Sequence, residues 1–145
     1  MVPARITVVT LGARDHPRLR EFYVGLGWEA TIDMEGFAAL RTAGAVLALF
    51  DAGQLAGEST RPAPEPGQGG RGFTLAINVD RAEEVDATID AARAAGATVV
   101  TEPVQQDWGG RSGYFTDPED NAWEVAWVPP GNQMAALLRH ASGRD

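Results

Sequence analysis

Apolar and polar positions alternate in short runs along this chain, and the same succession of patterns occurs twice. Each copy opens with a run rich in Val, Ile, Leu and Thr, continues with apolar residues at helical spacing, and closes with three short runs. The pattern therefore predicts strand, helix and three strands in each half of the chain. The predicted strands are 6–13, 28–33, 37–42 and 46–50 in the first copy, and 72–79, 97–101, 113–116 and 121–127 in the second.

One amphipathic helix is predicted in each copy. In the first copy Asp15 is suited to cap the helix and Pro17 suits its first turn. In the second copy Asp80 is the predicted cap, Glu83 is its capping-box partner, and Gly96 ends the helix. The predicted buried faces are Leu19, Phe22, Tyr23 and Leu26 in the first helix, and Val85, Ile89 and Ala92 in the second.

Residues 51–71 interrupt the repeat, because they are rich in proline and glycine and poor in apolar residues. A segment of this length without a periodic pattern is typical of a loop. We therefore predict a linker between two modules. The predicted organisation is a single domain over 1–145, with modules at 5–50 and 72–128, the linker at 51–71, and a tail at 129–145 in which 132–141 is suited to a short helix.

Charge and composition exclude several classes of protein. The formal net charge of −8 disfavours nucleic acid as a partner, and the absence of cysteine excludes disulfides and thiolate metal sites. No apolar run reaches the roughly 18 residues that a membrane span needs, and no secretory signal pattern is seen, so we expect a cytoplasmic protein. The acidic balance would attract a cationic ligand, although solubility is the better-supported explanation of it.

Two segments of the chain are distinctive. The first reads ITVVTLGARD and continues after three residues with LREFYVGLGWEA, and the second reads GYFTDPEDNAWEVAW. Together with the repeat, they resemble the glyoxalase/bleomycin-resistance/extradiol dioxygenase (vicinal oxygen chelate) superfamily, and most of all its bleomycin-resistance-like branch, over residues 5–128. The resemblance implies an α+β fold in which two tandem βαβββ modules form an open, cupped sheet cavity with helices on the outer faces.

The second segment departs from the family pattern at one position. Asp120 stands where the family usually has glycine in an Asp-Pro-x-Gly-Asn turn. Asp and Asn tolerate a left-handed backbone better than other residues that carry a side chain, so we expect the turn to persist.

The resemblance also implies where a metal would be held. Catalytic members of the family bind a divalent metal through the first and last strands of each module, and the matching positions here are Val8, Ala48, Thr74 and Glu124. Only Glu124 supplies a strong ligand, and the two histidines lie outside the predicted strands. We therefore predict no cofactor and no stable catalytic metal, while non-standard ligation of a divalent metal is left open.

Strand alternation predicts which side chains line the cavity implied by the resemblance. Glu124 is suited to accept hydrogen bonds from a ligand, or to act as a base if its surroundings allow. Trp108 is suited either to stack on a ligand or to pack locally. Phe37, Phe50 and Tyr114 are weaker candidates, because aromatic residues in strands more often belong to the core. The candidate ligand-binding residues are Trp108, Glu124, Phe50, Phe37, Tyr114, Asn78, Thr74, Val8 and Ala48.

These features favour metal-independent binding and sequestration of a small aromatic molecule, cationic if the acidic balance bears on binding, as in resistance to an antibiotic or natural product. One alternative is a glyoxalase-like lyase, isomerase or dioxygenase in which Glu124 is catalytic. Another is a regulatory module that binds a partner. A homodimer, with the modules paired within one chain or exchanged between chains, is also left open.

Overall fold

Each half of the chain forms a βαβββ module, as the hydrophobic pattern predicts. The structure is a computed structural model and describes residues 1–141, so the last four residues of the predicted tail lie outside it. The first half consists of β1 (Val8–Ala13), α1 (His16–Gly25), β2 (Ala30–Met34), β3 (Phe37–Leu40), β4 (Val46–Asp51) and α2 (Ala52–Ser59). The second consists of β5 (Leu75–Asn78), α3 (Glu83–Ala94), β6 (Thr98–Gln105), β7 (Arg111–Thr116), β8 (Ala122–Trp127) and α4 (Gln133–Ala141).

The two modules have the same sheet topology. The strand order is β1-β4-β3-β2 in the first four-stranded sheet and β5-β8-β7-β6 in the second. In each sheet the first and last strands of the module pair in parallel and the other neighbours are antiparallel. This confirms the α+β class and the tandem modules. The chain divides into two units between Glu65 and Pro66, within the segment predicted as a linker.

In the first module, α1 covers one face of the sheet. Asp15 accepts a hydrogen bond from the backbone N–H of Arg18 at 3.2 Å, which confirms the predicted cap. The apolar face of the helix, represented by Leu19 and Tyr23, is fully buried. Leu49 of β4 is also fully buried, and its neighbours along the strand alternate between the two faces. Apolar burial on this face therefore holds the module together.

In the second module, α3 packs against β6, β7 and β8. The side chains of the predicted stripe are each at most 1 % exposed, namely Val85, Ile89 and Ala92. The helix lies close to the sheet at Gly113, where a Cβ atom would lie only 3.2 Å from the Ile89 side chain. The predicted N-terminal capping of α3 is wrong.

The start of α3 is closed by a different carboxylate from the one that was predicted. Its N-cap position is Ala82, which makes no side-chain cap. Instead, Glu84 reaches back and accepts hydrogen bonds from the backbone N–H groups of Asp80 and Arg81 at 3.0 and 3.2 Å. A carboxylate in the first helical turn satisfies free N–H groups and also interacts favourably with the helix dipole.

The prediction of a loop throughout 51–71 is wrong at its first part, where α2 forms. Asp51 caps this helix by accepting from the backbone N–H of Gln54 at 3.0 Å. Leu55 packs on β1, since a Cβ atom at Gly12 would lie 3.3 Å from its Cδ2 atom. A short helix of this kind is stabilised by tertiary packing rather than by its own sequence, so its weak apolar pattern did not predict it.

The strand predicted at 97–101 continues to Gln105, and β7 begins at Arg111, two residues before its predicted start. Irregularities in the β6–β7 register allow the longer hairpin. Its turn is closed by the backbone hydrogen bond from Gln106 to Gly110 at 2.8 Å. No helix within residues 1–141 is long and apolar enough to cross a membrane.

We expect the substitution Gly110→Ala to lower the free energy of unfolding by about 1–3 kcal/mol, as overpacked sites usually do. A Cβ atom there would lie 1.8 Å from the ring of Trp108 and 2.4 Å from the carbonyl oxygen of Trp127. The ring can move, but the strand backbone cannot do so cheaply. Urea denaturation is the measurement, with Gly131→Ala as control, because its Cβ atom would meet nothing within 4 Å. Equal effects of the two variants would contradict the expected clash.

Candidate functional site

We call the face of the second sheet that lies opposite α3 the open face. Because paired residues in neighbouring strands share a face, the register identifies its side chains. A central row across the sheet consists of Ala76, Glu124, Tyr114 and Thr101, and the next row consists of Asn78, Ala126, Ser112 and Val104. Phe115 and Val125 point to the α3 face instead and are buried there.

Glu124 and Tyr114 form a hydrogen-bonded pair on the open face. They lie directly opposite each other in β8 and β7, and the Tyr114 hydroxyl donates to Oε2 of Glu124 at 2.5 Å. Both side chains are half-buried. The hydrogen bond to the carboxylate, together with burial and the nearby negative charge, raises the pKa of Tyr114 to about 12. The phenol therefore stays neutral and acts as a donor.

We expect the substitution Glu124→Gln to move the ionisation of Tyr114 from about 12 back toward its ordinary pKa of 10.0. The amide keeps an acceptor oxygen but removes the charge that disfavours phenolate. Phenolate absorbance measures this shift, and Tyr114→Phe identifies the signal because the chain has one other tyrosine. An unchanged midpoint in Glu124→Gln would contradict the pairing.

The same pKa shift fixes how the pair affects stability. Since the pKa of Tyr114 in the folded state lies above its value in the unfolded chain, the stabilisation is complete below pH 10.0 and is lost as the pH rises through about 12.

Small side chains surround the pair. Ala122 and Ala126 precede and follow Glu124 on the same face of β8, and Ala76 lies opposite it in β5. At one end of the face, Gln106 donates to the Ser112 hydroxyl at 2.9 Å, and both Ser112 and Ala126 are nearly inaccessible. The open face is therefore accessible at both edges of the sheet, at Ala76 in β5 and at Thr101 in β6, and closed around Ser112 and Ala126.

The turn before β8 holds the start of the strand that carries Glu124. Asp117 accepts hydrogen bonds from the backbone N–H groups of Glu119 and Asn121, each at 2.9 Å. Asp120 has a φ of 68°, so it adopts the left-handed conformation expected where the family usually has glycine. The prediction that the turn persists is confirmed.

A segment before β5 is tied to this turn. The backbone N–H of Gly67 donates to Asp120 at 2.9 Å, and Arg71 donates to the carbonyl of Glu119 at 3.0 Å and to the side chain of Asn121. The side chain of Asp120 thus makes a contact that glycine could not make, which helps to offset the cost of its backbone conformation. No pattern in the sequence indicates this contact.

The corresponding face of the first sheet, opposite α1, is apolar. Phe37 and Phe50 are paired across β3 and β4, and their rings meet edge to face with centroids 5.7 Å apart. Val8 is 51 % exposed, whereas Ala48 is only 2 % exposed. Ala48 therefore offers almost no surface to a ligand in this arrangement, and its assignment as a ligand-binding residue stays an untested prediction.

The remaining candidate residues lie in different settings. Trp108 packs locally on Gly110 in the β6–β7 turn, yet 44 % of its surface is exposed. Thr74 precedes β5 and is exposed, as is Asn78 at the end of that strand. Each of these three side chains is accessible. In the part of the chain that the structure describes, the hydrogen bond to Glu124 comes from the Tyr114 hydroxyl and not from any of these three. Sequence reasoning named Glu124 and Tyr114 singly but did not predict their bond.

Arg111 belongs to β7 rather than to a loop, and its guanidinium group is engaged. It donates two hydrogen bonds of 2.7 Å to the carboxylate of Asp86 in α3. The arginine lowers the pKa of Asp86, mainly through these hydrogen bonds. Arg111 therefore ties the helix to the sheet and is not a free anion site.

The residues do not fit the divalent metal that the resemblance implies. The positions for its ligands hold Val8 and Ala48 on the first sheet, and Thr74 and Glu124 on the second. Hydrocarbon side chains cannot coordinate a metal, and one carboxylate with one hydroxyl is a poor site. Among the side chains of residues 1–139, which are the ones that the structure describes, no group of three or more His, Cys, Asp or Glu could hold an ion. The side chains at these four positions therefore do not supply the ligands that the metal implied by the family would need.

A family model matches residues 5–125 and is described as the Glyoxalase/Bleomycin resistance protein/Dioxygenase superfamily. A solved glyoxalase-related enzyme from Fulvimarina pelagi is 29% identical, covering 88% of this chain and 90% of its own, with a TM-score of 0.77. A glyoxalase/bleomycin resistance protein/dioxygenase from Nocardioides is 28% identical, covering 91% and 88%, with a TM-score of 0.76. Lactoylglutathione lyase from Agrobacterium tumefaciens is 25% identical, covering 86% and 94%, with a TM-score of 0.64. No curated protein matches the chain.

Proposed function

The chain belongs to the Glyoxalase/Bleomycin resistance protein/Dioxygenase superfamily, and on that premise we propose that it binds and sequesters a small aromatic molecule without a metal. The ligand contacts the open face of the second sheet around Glu124. Small apolar side chains with one oriented polar group are typical of a small-molecule site. Sequestration of an antibiotic or natural product is the biological role that this chemistry fits.

The observation that carries the proposal is the isolation of the Glu124 carboxylate. It is held by the Tyr114 hydroxyl and flanked on its own strand by Ala122 and Ala126. An anchored acceptor among small side chains can orient a ligand. A chelating centre would need further donors, and the corresponding positions do not supply them.

Binding by protein treated with a chelator tests the proposal. A panel of aromatic antibiotics is titrated against dialysed protein with and without EDTA, and binding is followed by tryptophan quenching and by the shift in melting temperature. We expect at least one compound to bind with saturation and with an affinity that EDTA leaves unchanged. If no compound binds, the proposal fails and a regulatory partner-binding module is favoured.

Trp108 is tested in the same assay. If its exposed ring stacks on the ligand, Trp108→Ala weakens binding by about 1–3 kcal/mol. Exposed Met134 offers a control, since Met134→Ala removes an apolar side chain of similar exposure from α4, which is not part of the second sheet. An unchanged affinity in Trp108→Ala would remove this residue from the site.

The alternative is an enzyme in which Glu124 acts as a base, as a lyase, isomerase or dioxygenase. The similarity to the lactoylglutathione lyase from Agrobacterium tumefaciens favours this candidate. Turnover in the presence of added Ni²⁺, Zn²⁺ or Fe²⁺, lost in Glu124→Gln, would support the enzyme and contradict sequestration.

A further inference from the structure

One of the two oxygens of Glu124 is occupied within the protein itself. Oε2 accepts the Tyr114 hydroxyl at 2.5 Å, a length typical of a hydrogen bond between a neutral hydroxyl and a carboxylate. In the part of the chain that the structure describes, all ion pairs are made by other carboxylates. Glu124 therefore presents an uncompensated negative charge with one oxygen already engaged.

The sheet fixes this arrangement. Tyr114 and Glu124 face each other in the β7–β8 register, so the phenol cannot move away without a change of rotamer. The neighbours Ala76, Ala122 and Ala126 have no polar side-chain atoms, so they cannot take over the contact. A ligand that reaches Glu124 finds Oε1 without a partner among the described residues, whereas one lone pair of Oε2 already accepts the phenol, so a fork that needs both oxygens must share Oε2 with Tyr114.

Cations differ in what they require from a carboxylate. An ammonium group is a compact charge that needs only one oxygen, whereas an amidinium or guanidinium group is a planar fork that binds best to both. We propose, resting on the proposed function, that Tyr114 is a specificity-determining residue which makes the site select protonated aromatic amines over aromatic amidines and guanidines. The net charge of −8 supports attraction of a cation.

The neutrality of the phenol supports the same conclusion. Because the pKa of Tyr114 is raised to about 12, the hydroxyl remains a donor throughout the neutral range. Oε2 therefore keeps this hydrogen bond at neutral pH, where an alkylamine ligand is protonated.

Three probes with the same aromatic ring test the selectivity: 2-naphthylmethylamine, 2-naphthamidine and the neutral 2-naphthylmethanol. Their dissociation constants are measured by ligand-observed NMR on the full chain. We expect the amine to bind about tenfold tighter than the alcohol, which corresponds to about 1.4 kcal/mol, and tighter than the amidine; an amidine that binds tighter than the amine to the wild type would contradict the selectivity. Tyr114→Phe should shift the amidine-to-amine affinity ratio about tenfold toward the amidine, since it frees the second oxygen.

Two further variants keep the test decisive. Thr88→Val removes a hydroxyl from α3, on the opposite side of the sheet from the open face, and should leave the ratio unchanged. Glu124→Gln removes the charge but keeps an acceptor for the phenol, and it should reduce the affinity for the amine to that for the alcohol. If Tyr114→Phe does not fold, this second variant still tests the charge contact.

The outcomes separate this inference from the proposed function. If the alcohol binds but the amine gains nothing, or if the ratio is the same in Tyr114→Phe, the specificity role is wrong while aromatic binding stands. If none of the three naphthyl probes binds and the antibiotic panel also fails, the proposed function itself is wrong.

Discussion

Replacement of Phe115 by alanine is expected to lower the free energy of unfolding by about 3–5 kcal/mol, the usual cost of removing a buried aromatic ring. The ring is 1 % exposed and lies on the α3 face of β7. It stacks on Trp123, with centroids 6.3 Å apart and planes at 8°. The alanine variant loses both the burial of the ring and this aromatic contact.

Calorimetry and urea denaturation of the full chain measure the effect of Phe115→Ala. The chain has two units, so the loss should appear in one transition if the units unfold separately. Phe73→Ala is the matched control because Phe73 is 55 % exposed, and it should change stability by less than about 0.5 kcal/mol. Similar losses in both variants would contradict the assignment of the core.

Asp117→Ala is expected to be the second most damaging change, at about 2–4 kcal/mol. The carboxylate is 4 % exposed and accepts from two backbone N–H groups and from the Asn121 side chain. Alanine leaves these donors buried without their acceptor, and each such group costs about 1–3 kcal/mol. Because the turn leads into β8, the position of Glu124 should loosen as well.

The Asp117 prediction is measured by urea denaturation, together with the affinity for 2-naphthylmethylamine. Asp117→Asn keeps one acceptor oxygen and should cost less than Asp117→Ala. Asp107→Ala is the control, since Asp107 is exposed in the β6–β7 turn. If the two alanine variants were equally stable, the turn would not depend on this carboxylate.

The fold could be predicted from the sequence because its pattern is local. Strand alternation and helical spacing repeat in both halves, and burial of Val85 and Ile89 follows from their position in the stripe. Element ends were less predictable. Asp80 was expected to cap α3, but Glu84 closes the helix from within its first turn, since several acidic residues there can supply the same hydrogen bond.

Features that depend on contacts distant in sequence could not be predicted. The short helix α2 depends on the packing of Leu55 against Gly12, and the strand residue Arg111 finds its partner in Asp86. Each partner becomes visible only when the chain is folded. The same holds for the bond between Tyr114 and Glu124, although alternation had already placed Glu124 on the predicted cavity side.

The predicted ligand, a cytoplasmic location and a homodimer stay predictions. Size-exclusion chromatography with light scattering measures the oligomeric state, and the probe series measures the ligand class. The conclusion that the residues do not fit a divalent metal rests on the side chains at four positions, of which only Glu124 carries a carboxylate.

Metal retention tests the central claim most directly. Purified protein is dialysed against Ni²⁺, Zn²⁺, Fe²⁺ or Mn²⁺ in turn, passed through a desalting column and analysed by plasma mass spectrometry, alongside Glu124→Gln. We predict that both proteins retain only traces of metal while the wild type still binds an aromatic probe. Stoichiometric retention of one metal by the wild type, lost in Glu124→Gln, would contradict the account.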